Sequence, residues 1–205
     1  MRTSDTRFAV VFSASTVLAA VLLFFLAFDL TPQAHHMSLH VLLMNVGAPF
    51  LAAAMAGRLA GLRLPARWLW IATAAQLVVL WLAHLPAIHD AAMAHHSLRL
   101  AVYVALTASA LAFWVACIAI AVTSRWQTVP ALAITGKLFC LLAALLVFSP
   151  RPLYAAHVQG APEDQQLAGL LMIIACPLSY LTAGLVISVQ LIGIAPAPRL
   201  RRVDP

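Results

Sequence analysis

His36-Met37-Ser38-Leu39-His40, followed by Met44, is the arrangement in this chain best suited to chemistry. On a helix, positions 36, 40 and 44 stack one turn apart on one face, and Met37 lies beside that face, three residues from His40. Two imidazoles at this spacing can chelate one metal ion. A thioether beside them favours a soft metal, for which Cu(I) is the natural candidate. The same residues also suit an interfacial helix start with methionines packed against neighbours, and spacing alone does not separate the two readings.

Two distant segments bring donors of the same kind. His84-Leu85-Pro86-Ala87-Ile88-His89-Asp90 closes an apolar run. Pro86 stops the helix and turns the chain along the membrane surface, which leaves His84 able to meet His36 or His40. Asp90 suits the support of a ligand histidine through its second ring nitrogen, while His89 and the His95-His96 pair also suit a solvated loop. Glu163 and Asp164 open the last apolar run, where the positive end of the helix dipole favours carboxylates. Met172 lies about two turns beyond Asp164 on the same face, and Gly169 between them allows close helix packing. The adjacent Gln165 and Gln166 have no such explanation. The ligand set expected for copper is therefore His36, Met37, His40, Met44, His84, His89, Asp164 and Met172. Nucleophilic catalysis has no support: there is no G-x-S-x-G elbow and no glycine-rich phosphate loop, so no enzyme is expected.

The elements that must position these donors are transmembrane helices. The chain has 205 residues, 64% of them hydrophobic and 9% charged, against about 25% charged in a soluble domain. Apolar blocks reach the roughly 20 residues needed to cross a bilayer. They predict six spans in an all-α integral membrane bundle, at about 8–28, 36–57, 68–85, 98–122, 130–148 and 167–192, forming one domain over 1–205. The first block exceeds the 7–15 apolar residues of a signal peptide and reads as a retained helix. Gly47-Ala48-Pro49 and Cys176-Pro177 should each kink a span and free a carbonyl. Cys117, Cys140 and Cys176 lie inside spans as small apolar residues rather than as a disulfide framework.

Charge orients the bundle. With both termini cytoplasmic, Arg2, Arg7, Arg58, Arg63, Arg67, Arg125, Arg199, Arg201 and Arg202 fall on the cytoplasmic side, Lys137 snorkels towards it, and Arg99 and Arg151 lie outside. This is the positive-inside pattern. It accounts for the net charge of +6 without a nucleic-acid partner. It also places all eight histidines outside: His35, His36, His40, His84, His89, His95, His96 and His157.

Several stretches occur in an order that resembles a known family. They are His36-Met37-x-x-His40-x-x-x-Met44 with Ala48-Pro49, Trp81-x-x-His84-Leu85-Pro86 with Asp90-Ala91-Ala92, Phe113-Trp114, Arg151-Pro152-Leu153-Tyr154, and Asp164-Gln165-Gln166-x-Ala168-Gly169-x-x-Met172. The chain resembles the CtaG family of membrane proteins, which assist assembly of caa-type cytochrome c oxidases. The resemblance implies a multi-pass protein of the bacterial cytoplasmic (inner) membrane, with the lipid bilayer and oxidase subunits as partners. Joined to the outward donors, it implies a factor that binds copper at the outer face, receives it from a periplasmic copper chaperone and delivers it to an oxidase subunit. The alternative is a haem-binding membrane electron carrier with His40 and His84 as axial ligands. Two departures stand out. The family is expected to carry a further histidine on the fourth helix, at a depth held here by Arg99 and Tyr103, with His95 and His96 just outside as substitutes. Its members often have seven spans, where this chain reads as six.

Overall fold

A computed structural model describes residues 32–59, 61–120, 122–154 and 162–194. The first expected span, 8–28, lies outside them, as do both termini and His157. The described residues form helices α1 (Pro32–Val41), α2 (Ala48–Ala54), α3 (Ala56–Leu59), α4 (Ala66–Ala83), α5 (Pro86–Ala94), α6 (His96–Ala119), α7 (Thr128–Phe148) and α8 (Pro162–Ile194). Five stretches are long and apolar enough to cross a membrane: Gln33–Ala54, Ala66–Ala83, His96–Ala119, Thr123–Phe148 and Pro162–Gly193. They correspond to the second to sixth expected spans, with several ends moved by a few residues.

Prolines shape the ends and the irregularities. Leu85 is extended with ψ 132°, the conformation imposed on a residue that precedes proline, and Pro86 then starts α5. The turn at Pro86 thus leads into a short helix. Between α1 and α2 the chain forms a π-helical turn, Leu42–Gly47, closed by the Ala48 amide donating to the Leu43 carbonyl. Pro49 brings no amide hydrogen, so the helix ahead of it loses a backbone bond and widens. The wider turn buries three consecutive residues, Met44, Asn45 and Val46, where an α-helix at a bundle surface would turn one of them outward. At the second proline expected to kink a span, α8 continues through Pro177.

The helices pack as one bundle, with α7 against α8, α4 against α6 and α1 against α8. Gly169 permits the closest approach: a Cβ there would meet Val147 Cγ2 at 2.7 Å, the Ala143 carbonyl at 2.9 Å and Leu146 Cβ at 3.0 Å. Buried polar groups in the apolar interior pair between helices. Gln76 donates to the Tyr180 hydroxyl at 2.5 Å, and Ser179 donates to the Asn45 side-chain oxygen at 3.0 Å. Tyr180 is wholly buried and stacks on Trp114 with ring centroids 5.3 Å apart. At the end where α4 begins, Trp70 donates to Gln127 and Arg125 to Gln190. Arg58, Arg63 and Arg67 lie exposed in that part of the chain, while the histidines gather where α4 ends. Lys137 is exposed on α7, as a snorkelling side chain requires.

Candidate metal centre

The one-turn spacing of His36 and His40 on α1 brings their rings to 4.2 Å between centroids. His84 follows the last turn of α4 and comes within 5.8 Å of His40. His89, on α5, comes within 5.3 Å of His36. All four are buried, none more than 5% exposed. The expectation that His89 could sit in a solvated loop is therefore corrected: α5 folds back over the bundle and turns this ring inward.

The four rings are not equivalent. His36 Nδ1 lies 2.6 Å from the Tyr103 hydroxyl. His89 stacks on Tyr154 at 3.8 Å between centroids, and its Nδ1 is 3.7 Å from an Asp90 oxygen. His84 Nδ1 lies 2.8 Å from the Leu80 carbonyl. A carbonyl only accepts, so Nδ1 carries the hydrogen and the Nε2 lone pair is left for another partner. Within the described residues, His84 Nε2 and both ring nitrogens of His40 are buried without a hydrogen-bond partner. Below them lies a cavity of about 10 Å³ whose lining includes His40, Met44, Asn45, His84, Phe139 and Met172. That is room for one small particle. No ionised side chain lines the cavity among the described residues.

The other expected ligands stand elsewhere. Met37 is fully buried in the hydrophobic core and does not line the cavity. The Asp164 carboxylate accepts the backbone amides of Ala34 at 3.1 Å and Gln33 at 3.4 Å. It thus caps the first turn of α1 from α8 and sets the height of His36 and His40 against Met172. Among the described residues, no three His, Cys, Asp or Glu side chains are placed to hold one ion between them.

Sequence reasoning missed three contributors. Tyr103 was read as a departure, yet its ring lies 5.2 Å from His36 and 4.9 Å from His40, so it belongs to the cluster. His95 and His96 are exposed instead, with His96 3.1 Å from the Arg99 guanidinium. Tyr154 covers the cluster from the segment after α7. Its hydroxyl donates to the His84 carbonyl at 3.3 Å, and burial, then the nearby Asp90 carboxylate, push its phenol above the ordinary value. Gln165 explains the glutamine pair: its side chain accepts the Leu153 amide at 2.7 Å and donates to the Leu146 carbonyl at 3.0 Å. It holds the segment carrying Tyr154 in place, whereas Gln166 is exposed.

The family model described as cytochrome c oxidase caa3 assembly factor matches residues 7–194. No curated protein and no solved structure matches the chain.

Proposed function

The chain belongs to the cytochrome c oxidase caa3 assembly factors, and from that membership we propose that it carries Cu(I) at the outer membrane face and passes it to an oxidase subunit. The observation that carries this reading is the burial, without hydrogen-bond partners among the described residues, of both His40 ring nitrogens and His84 Nε2 at a cavity that Met44 and Met172 also line. Imidazole and thioether together suit copper and are poor ligands for calcium or magnesium. Transfer proceeds by exchange of ligands between carrier and acceptor. Such exchange breaks no covalent bond of the protein and needs no nucleophile. A periplasmic copper chaperone is the donor in this reading, and the bilayer holds carrier and oxidase in one plane. The alternative of a haem carrier is disfavoured by size, because the cavity that His40 and His84 line, about 10 Å³, leaves no room for a porphyrin.

Consider a bacterium in which this chain is the sole family member. Its deletion should leave oxidase polypeptide and haem in the membrane but remove most oxidase activity, and added copper should partly restore it. Full activity in the deletion strain under copper limitation defeats the reading.

The proposal extends to six spans, the first within 8–28, with both termini in the cytoplasm of a bacterial inner-membrane protein. Its support is the charge pattern: Arg58, Arg63, Arg67 and Arg125 lie away from the histidine end of the bundle. With the native cysteines replaced by alanine, Ala94→Cys in intact cells should react with a membrane-impermeant maleimide and Gly61→Cys should not. Both positions are exposed. The reverse pattern inverts the protein.

A further inference from the structure

We infer that the cargo ion is held by His40, His84, Met44 and Met172, with His36 and His89 outside its coordination shell. The inference rests on the copper reading and narrows it from an outer histidine cluster to one ligand set.

Two observations point to the histidines, and a third joins the two methionines to them. The first is orientation. The Leu80 carbonyl fixes the His84 tautomer with its hydrogen on Nδ1, which leaves Nε2 as the metal-binding atom. A ligand histidine is usually held in this way through its other nitrogen. The second is the state of the nitrogens. Both His40 nitrogens and His84 Nε2 are buried without partners among the described residues, which costs free energy that a bound cation would recover. The third is the cavity. It touches His40, His84, Met44 and Met172 together and is sized for one small particle.

Other ligand sets do not fit this geometry. A nitrogen-only centre of three histidines is not available, since no three His, Cys, Asp or Glu side chains are placed around one point among the described residues. Neither His36, whose Nδ1 lies 2.6 Å from the Tyr103 hydroxyl, nor His89, stacked on Tyr154, lines the cavity. His36 packs against His40, and His89 against His36. The donors come from four places in the chain: α1, the π-helical turn, the end of α4, and α8. Two imidazoles and two thioethers form a neutral, mixed borderline-soft set, which selects a soft monovalent ion over hard divalent ones.

The test uses the full chain in detergent, loaded anaerobically with Cu(I) and studied by X-ray absorption at the copper edge. The parent is expected to show two nitrogen and two sulfur neighbours. Met172→Leu keeps the volume but removes a thioether. It should lose one sulfur and bind Cu(I) at least the roughly 10–100-fold more weakly that disturbing a ligand's support already costs. His36→Ala and His89→Ala should keep the parental first shell. A parental shell without sulfur, or loss of a nitrogen in His36→Ala, overturns the assignment and leaves copper carriage standing. A parent that retains no Cu(I) removes the copper reading itself.

Discussion

Metal-free His40→Leu protein should unfold at a higher temperature than the parent and retain little or no Cu(I). His40 is 4% exposed and, among the described residues, makes no hydrogen bond through either ring nitrogen. A buried polar group left without a partner costs about 1–3 kcal/mol. Leucine fills a similar space with no polar atom to satisfy. At roughly 2–4 °C per kcal/mol for a chain of this size, the melting temperature of the metal-free variant should rise by several degrees. With Cu(I) present the order should reverse, because a ligand that binds only the folded state adds RT ln(1 + [L]/Kd) to the parent alone. Thermal unfolding of both proteins, with and without Cu(I), checks this. A metal-free His40→Leu protein less stable than the parent would mean that the ring already has a satisfied role in the fold.

Gly169→Ala should be among the most damaging single methyl additions available in the bundle. The new Cβ would sit 2.9 Å from the Ala143 carbonyl and 2.7 Å from Val147 Cγ2. The valine can turn, but the carbonyl belongs to the backbone of α7 and can move only with its helix. Overpacking of a tight contact typically costs 1–3 kcal/mol. Here the cost should reach about 3 kcal/mol, a fall of roughly 6–12 °C in melting temperature. Gly184→Ala on the same helix is the control. Its Cβ would lie 3.9 Å from Leu132 Cβ, an ordinary contact, and alanine's better helix propensity is worth up to about 1 kcal/mol. Equal effects from the two substitutions would mean that the α7–α8 contact is looser than described. Met172 is the next turn of α8 after Gly169, so a displaced α8 should also weaken Cu(I) retention.

Much of this was legible in the sequence because hydrophobic blocks of span length and proline positions act locally. The spans from the second to the sixth were readable, as was the irregularity ahead of Pro49. The convergence of His84 on His40 followed from Pro86 ending α4 where α1 begins. The residues that read less well depend on partners far away in the chain. Asp164 at a helix start suggested a dipole effect or a ligand, but its carboxylate caps α1, 130 residues distant. Tyr103 looked like the loss of a histidine because sequence shows residue type and not the neighbour it meets, which is His36. Gln165 had no local rationale because both of its hydrogen bonds serve the segment around α7's end.

The absence of any ionised side chain around the cavity among the described residues has an electrochemical consequence. The free energy of placing an ion in a poorly polarisable interior grows with the square of its charge, so cupric copper costs about four times what cuprous copper does. Neutral imidazoles and thioethers provide no negative charge to offset the difference, as a carboxylate or thiolate would. The reduction potential of copper held there is therefore displaced upward, and oxidation in place becomes unfavourable. If copper is carried there as proposed, the pocket would keep the ion from cycling between valences beside the lipid, and an ion that did lose an electron would be driven out of it.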